Sequence, residues 1–111
     1  MEFNLTEEHL AVRDAAREFA QMELLPGVVE RDDNQQYPTE QVRKMAELGF
    51  LGMMTNPAWN GGGIDTLSYV LPMEEIAKVD ASAAVIMSVN NSLVCHGIEQ
   101  YGSDFHKEKY L

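Results

Sequence analysis

The stretch LTEEHLAVRDAAREFAQMEL, residues 5–24, carries the clearest helical periodicity in the chain. Its apolar side chains recur at spacings of three and four, so they form one stripe along a helix. The stripe consists of Val12, Ala15, Ala16, Phe19 and Met22. Either Thr6 or Asn4 can cap this helix, and the two glutamates that follow suit the positive end of its dipole. The pattern predicts a helix over residues 5–24, which Pro26 and Gly27 kink or restart.

A second helix is predicted over residues 38–48. Pro38 can open it, because a missing N–H costs nothing in the first turn, and Gly49 can end it in a left-handed conformation. Its apolar side consists of Val42, Met45 and Leu48. The preceding residues 30–37 are polar and typical of turns, whereas FLGMMTN, residues 50–56, is a short apolar run that fits either a strand or a buried connector.

A third helix is predicted after the glycines, where Asp65 or Thr66 can cap it. The residues in helical register are Leu67, Val70, Leu71, Ile76 and Val79. Pro72 interrupts this pattern, because proline lacks the N–H that a helix interior needs. Either the helix kinks at Pro72 or its regular part begins near Leu71.

A fourth helix, the longest after the first, is predicted over residues 81–98, with Asp80 as its cap. Small residues at its start permit close helix packing, and its Val and Ile content requires burial to keep it helical. Ser103 can cap a final turn or two after Gly102. The sequence thus predicts an all-α fold, an antiparallel bundle of about four main helices.

Three consecutive glycines lie in PAWNGGGID, residues 57–65, and raise the possibility of a phosphate-binding loop. A Walker loop needs a lysine and a hydroxyl directly after its last glycine, whereas Ile64 and Asp65 stand there. A dinucleotide-binding loop would place pyrophosphate where Asp65 puts a negative charge. We therefore interpret the glycines as a tight turn that needs positive φ.

Other polar residues give no clear catalytic arrangement. Cys95 and His96 are adjacent, so on a helix they point about 100° apart and pair poorly. Glu74 and Glu75 are interpreted as a solvated or dipole-facing pair. A polar run of three residues, 90–92, follows an apolar stretch; it faces solvent, bonds to neighbouring backbone, or faces another polar group.

The composition narrows the class of protein. The chain has 111 residues and 45% hydrophobic content, enough for one domain with a modest core. A formal net charge of −10 would repel polyphosphate, so nucleic acid is not expected as a partner. The single cysteine excludes an internal disulfide, and the three histidines have no metal-ligand spacing. With no basic leader and no long apolar run, we expect a soluble bacterial cytoplasmic protein that binds neither a membrane nor a metal.

The order of these features resembles the N-terminal helical domain of the flavin-dependent acyl-CoA dehydrogenases. The resemblance rests on FNLTEEHLAVRDAAREFA, YPTEQVRKMAELGFLG, GGGIDTLSYVLPMEEIAKVDAS, VIMSVNNSLV and YGSDFHKEKYL, and it covers nearly the whole chain. VIMSVNNSL, residues 85–93, is most similar to the short-chain, butyryl-CoA type. The chain departs at Asn60, where relatives usually carry a glycine, and at Pro72, where they usually carry a helix-compatible residue.

The resemblance implies a longer, tetrameric enzyme with a middle β-domain and a C-terminal helical domain. Its FAD removes two hydrogens from the α and β carbons of an acyl-CoA and passes the electrons to an electron-transfer flavoprotein. The flavin contacts and the catalytic glutamate belong to the later domains of the family. We therefore expect no catalytic or cofactor-binding residue in this chain, no bound FAD, no activity of the chain alone, and self-association through the surface that those domains would cover.

The resemblance also implies two sites. The helix that contains VIMSVNNSL would form one wall of the acyl pocket, lined by Val85, Ile86, Val89, Asn90 and Leu93. The docking cleft for the flavoprotein would include Val12, Ala16, Phe50 and Ile64, although Val12 and Ala16 also fit ordinary core positions. Two other functions stay open from the sequence, a freestanding helical interaction module and a fragment of an acyl-CoA oxidase.

Overall fold

The computed structural model describes residues 3–111, and all regular structure within that range is helical. The α-helices are α1 (Glu7–Phe19), α2 (Val28–Asp33), α3 (Thr39–Glu47), α4 (Thr66–Val79), α5 (Ala81–Ser88), α6 (His96–Tyr101) and α7 (Asp104–Tyr110). A π-helical segment, Ala20–Leu24, extends α1, a second one, Val89–Cys95, joins α5 to α6, and Pro57–Trp59 form a 3-10 turn. The all-α class is confirmed, and the four longest helical runs correspond to the four predicted helices.

Short polar side chains begin four of the helices, as predicted. The Thr6 hydroxyl accepts a hydrogen bond from the backbone N–H of His9 at 3.2 Å, and it is Thr6 rather than Asn4 that caps α1. Asp65 caps α4, Asp80 caps α5 and Ser103 caps α7 in the same way. Each cap satisfies an N–H group that has no partner within its own helix, so the helix boundaries follow from local chemistry.

The core lies where α4 packs against α1 on one side and α5 on the other. Its largest fully buried side chains include Leu24, Ile76 and Met87, which come from these three helical runs. The molecule measures 40 × 38 × 20 Å, and a thickness of 20 Å accommodates two layers of helices. Because so thin a body has little interior, many large apolar side chains remain exposed on its outer faces.

The structure corrects one local prediction and decides between the alternatives left open for two others. The polar stretch after Val29 contains the short helix α2, which restarts the chain after Gly27, a glycine with φ of 78°. The alternative in which the third helix begins near Leu71 is wrong, because α4 begins at Thr66 and continues through the fully buried Pro72. Residues 50–56 form an irregular connector rather than a strand.

Glu75 is the other correction, since it is not part of a solvated pair. Glu75 is 7% exposed, and its carboxylate accepts two hydrogen bonds from the Arg17 guanidinium and one from Lys78. Its neighbour Glu74 is exposed. Adjacent helical residues point in different directions, so one carboxylate faces α1 while the other faces solvent.

The helical run from Ala81 to Tyr101 is long and apolar enough to cross a membrane by length and composition alone. Five of its residues are buried within the domain: Ala83, Ala84, Met87, Asn91 and Cys95. The buried asparagine forms hydrogen bonds to the connector, and α5 packs on α4. We therefore interpret this run as a helix of the domain; the expectation that the protein binds no membrane stays a prediction.

Candidate functional site

The connector, residues 50–56, is an irregular segment in which six of the seven backbone carbonyls accept hydrogen bonds. The Phe50 and Leu51 carbonyls accept hydrogen bonds from the side-chain amides of Asn91 and Asn90, at 2.8 and 2.6 Å. The carbonyls that follow accept from backbone N–H groups of the glycine loop, residues 60–64. These bonds join Gly62 to Gly52, Ile64 to Met53 and Gly63 to Thr55, at 2.9, 3.0 and 2.9 Å. Because a buried carbonyl without a partner is costly, these bonds explain why a non-helical segment is stable here.

The glycine loop packs its backbone directly against the connector. A Cβ atom on Gly61 would lie 2.1 Å from the Thr55 carbonyl oxygen, and one on Gly62 would lie 2.7 Å from that of Met53. Asn60 adopts φ of 65°, the left-handed conformation that asparagine tolerates better than most residues. The N–H groups of residues 61–64 all bond to backbone carbonyls of residues 52–56, so none is free to hold phosphate. The loop is a tight turn, as its sequence predicts.

The polar residues 90–92 bond to backbone rather than to solvent alone. Asn91 is 4% exposed and also donates to the Met87 carbonyl at 2.9 Å, while its side-chain oxygen accepts from the Met53 N–H at 2.8 Å. The Ser92 hydroxyl donates to the Ser88 carbonyl at 2.6 Å. Of the alternatives that the sequence left open, bonding to neighbouring backbone is the one observed for all three residues.

Three of the five predicted pocket residues share an exposed apolar stripe on the long helical run. Val85 is 59% exposed, Val89 41% and Leu93 68%. Their spacing of four residues places them on one side of the helix. Branched apolar side chains on an open face can contact a hydrocarbon chain or a covering domain, and we name this set the Val85–Leu93 stripe.

The other two predicted pocket residues lie apart from this stripe. Ile86, which is half-buried, lines a groove of about 900 Å³ together with Val85. Asn90 instead borders a separate cavity of about 300 Å³ between the glycine loop and Cys95. Since its amide nitrogen donates to the Leu51 carbonyl, Asn90 holds the connector and does not extend the apolar stripe.

The sequence did not predict the residues that form the far side of the 900 Å³ groove. It is formed by α2 and the residues after it, including Val28, Val29 and Tyr37. Arg31 fixes α2 there: its guanidinium donates to the Leu24 and Pro26 carbonyls at 2.6 and 3.0 Å, and to the Asp80 carboxylate at 3.3 Å. The pair of valines directly after Gly27 was the only signal in the sequence, because Arg31 and Asp80 lie 49 residues apart.

The predicted docking residues differ in their accessibility to a partner protein. Ala16 is fully buried, and Phe50 is 5% exposed with its ring packed edge-to-face against Phe19 at 6.0 Å between centroids. Val12 and Ile64 are half-buried and pack against the same core. A partner could touch the last two directly, whereas it would reach Ala16 and Phe50 only if the residues over them moved.

The remaining candidate groups have structural surroundings. Cys95 is buried, and its thiol donates to the Leu51 carbonyl at 3.6 Å, while the adjacent His96 is exposed. Within residues 3–111, no cluster of three or more His, Cys, Asp or Glu side chains could hold a metal ion. The candidate site is therefore a binding surface, the Val85–Leu93 stripe and the groove beside it, held by the connector.

Comparison with known proteins identifies the family to which this helical fold belongs. The model of the acyl-CoA dehydrogenase N-terminal domain matches residues 6–111. The short-chain specific acyl-CoA dehydrogenase of Clostridium acetobutylicum is 40% identical over 111 residues, which is all of this chain and 29% of that protein. A 3-(aryl)acrylate reductase of Clostridium sporogenes is 40% identical over 106 residues, 96% of this chain and 28% of that protein.

Two solved structures show the same fold. A chain from a structure described as "Electron transferring flavoprotein of Acidaminococcus fermentans: Towards a mechanism of flavin-based electron bifurcation" superposes with a TM-score of 0.94 at 40% identity, over all of this chain and 29% of that one. Butyryl-CoA dehydrogenase from Megasphaera elsdenii superposes with a TM-score of 0.89 at 37% identity, over all of this chain and 30% of that one. This chain thus spans less than a third of the length of the relatives it matches. The family model shows that the chain belongs to the acyl-CoA dehydrogenase family, within which residues 6–111 are the N-terminal domain.

Proposed function

We propose that this domain serves an FAD-dependent acyl-CoA dehydrogenase that oxidises short-chain acyl-CoA thioesters between the α and β carbons. The observation that carries the proposal is the Val85–Leu93 stripe, an exposed apolar surface on a helix of an acyl-CoA dehydrogenase N-terminal domain. The short-chain specific relative from Clostridium acetobutylicum, 40% identical over the whole chain, supports the substrate class. The domain supplies one wall of the acyl pocket.

The stripe selects substrates by volume. Branched side chains at Val85, Val89 and Leu93 fill the space that a longer acyl chain would need. Each methylene that cannot be buried forfeits about 0.8 kcal/mol of transfer free energy, which is enough to favour a short chain. The same apolar surface excludes water from the thioester's hydrocarbon end.

The flavin would accept the two hydrogens removed in this reaction, but residues 3–111 form no site that fits it. The N–H groups of residues 61–64, the obvious donors for a pyrophosphate, all bond to the connector. The formal net charge of −10 also disfavours a polyphosphate group. We therefore propose that the residues of this domain neither contact the flavin nor transfer a proton.

An electron-transfer flavoprotein is the partner that the proposal names. Val12 and Ile64, the accessible members of the predicted docking set, offer a small apolar contact. Support comes from the Acidaminococcus structure, whose description concerns such a flavoprotein. An Ile64→Ser substitution should slow electron transfer to the flavoprotein while leaving reduction of a small artificial acceptor unchanged.

The experiment that tests the pocket is a chimera. This chain replaces the matching N-terminal 30% of Megasphaera elsdenii butyryl-CoA dehydrogenase, and kcat/KM is measured for acyl-CoA substrates of increasing chain length. We expect the chimera to prefer butyryl-CoA, and Leu93→Ala to raise kcat/KM for longer substrates. A folded, flavin-loaded chimera that oxidises octanoyl-CoA faster than butyryl-CoA would refute the proposed wall.

A further inference from the structure

Asn91 lies behind the proposed wall, and both its side-chain nitrogen and its side-chain oxygen form hydrogen bonds. Its amide nitrogen donates to the carbonyls of Phe50 and Met87, and its oxygen accepts from the Met53 N–H, all at 2.8–2.9 Å. Two of these three bonds leave the helix and grip the connector, 38 and 41 residues earlier in the chain. A buried amide with every bond satisfied fixes both segments relative to each other.

These bonds coincide with the change of helical register at Val89–Cys95. In a π-helix each N–H bonds to the carbonyl five residues earlier instead of four, so the regular α-helical pairing is broken there. The Asn91 amide and the Ser92 hydroxyl both donate to carbonyls four residues before them, Met87 and Ser88. Side chains thus supply hydrogen bonds at the register change, and the connector holds Asn91 in place.

The helical register decides which side chains of the long helical run face the proposed acyl pocket. If residues 89–95 returned to α-helical geometry, the residues beyond them would turn relative to α5 by on the order of 100°. Leu93 is the fifth residue of this segment and would turn with it, whereas Val85 precedes the segment and Val89 is its first residue, so both keep their directions relative to α5. The shape of the wall therefore depends on the π-helical segment.

We propose that Asn91 is a positioning residue for substrate specificity: by tying the π-helical segment to the connector, it sets the direction in which Leu93 faces the acyl chain relative to Val85 and Val89. This inference rests on the proposed function, and it adds a residue that touches no substrate. Asn91 acts through the register of the helix.

The test compares three variants in the chimera. Asn91→Leu removes all three bonds, and the isosteric Asn91→Asp removes the two donated bonds while keeping the volume. The matched control Ser92→Ala removes a bond from the same segment to α5 but none to the connector. The measured quantity is the ratio of kcat/KM for butyryl-CoA to that for octanoyl-CoA, determined on folded, flavin-loaded protein.

We expect both Asn91 variants to lower this ratio, by about fourfold for each methylene that the altered wall admits, and Ser92→Ala to leave it unchanged. In the 111-residue chain, backbone chemical shifts of residues 89–95 should move toward α-helical values in both Asn91 variants but not in Ser92→Ala. A chimera that prefers short chains but keeps its ratio in both Asn91 variants would overturn the inference. A chimera with no preference before any substitution would overturn the proposed function itself, so the two failures are distinguishable.

Discussion

The Arg17 guanidinium on α1 grips the Glu75 carboxylate on α4 with two hydrogen bonds, Nε to Oε2 at 3.2 Å and Nη2 to Oε1 at 3.0 Å. Lys78 donates a third, at 3.2 Å. The hydrogen bonds from Arg17, and to a smaller extent the one from Lys78, hold the pKa of Glu75 below its ordinary value, although burial of the carboxylate opposes the shift. The pair joins the two helices that form most of the core.

Glu75→Gln should make stability less dependent on pH in the acidic range. A carboxyl whose pKa is lowered by folding stabilises the protein fully above its unfolded pKa, about 4.3, and loses this contribution as the pH falls through its folded-state value. We therefore expect Glu75→Gln to lower Tm at pH 7 and to differ progressively less from the unchanged protein below about pH 4. Thermal unfolding followed by circular dichroism measures this, with the exposed Glu74→Gln as control. A Tm difference that is the same at every pH would contradict the assignment.

Gly61→Ala should destabilise the domain far more than Gly97→Ala. The new methyl group at position 61 would lie 2.1 Å from the Thr55 carbonyl oxygen, a backbone atom that cannot move without breaking the connector's bonds. At position 97, inside α6, an added Cβ meets nothing within 4 Å. We expect a loss of at least about 2 kcal/mol at position 61 and a gain of about 0.5–1 kcal/mol at position 97, from urea unfolding. Equal urea midpoints for the two variants would show that the loop does not pack as described.

The helices were predictable because the signals for them are local. Thr6, Asp80 and Ser103 cap helices through bonds to N–H groups three residues later, and an amphipathic stripe needs only the order of neighbouring residues. The resemblance of residues 85–93 to a short-chain enzyme then supplied the stripe. Val85, Val89 and Leu93 are exposed, and their role in an acyl pocket stays a prediction.

The rest depends on contacts between residues far apart in the sequence. Glu75 looked solvated because its partner Arg17 lies 58 residues earlier. Phe50 looked available for docking, yet its ring packs against Phe19 in the core. The π-helical segment cannot be recognised from the local periodicity of the sequence. It occurs where Asn91 bonds to the connector, and tertiary contacts set the path of the connector.

Asn60 should tolerate glycine but not alanine. Its φ of 65° is left-handed, a conformation that costs most non-glycine residues about 1–2 kcal/mol and that asparagine relieves through its polar side chain. We expect Asn60→Ala to cost about 1 kcal/mol and Asn60→Gly to stay within about 0.5 kcal/mol of the unchanged protein. Urea unfolding separates these outcomes. Alanine tolerated as well as glycine would mean that the turn does not require positive φ at this position.

The Val85–Leu93 stripe should make the 111-residue chain associate with itself. Its three side chains are 41–68% exposed on a face that a thin, two-layered body leaves uncovered, and burial of such surface is favourable. The net charge of −10 opposes association, so added salt should strengthen it by screening the repulsion. Sedimentation velocity at rising protein concentration and at two salt concentrations measures both effects. Leu93→Ser should shift the species toward monomer, whereas Phe105→Ser, on the comparably exposed α7, should not. A monomer that persists to millimolar concentration in high salt would show that this apolar face needs no cover.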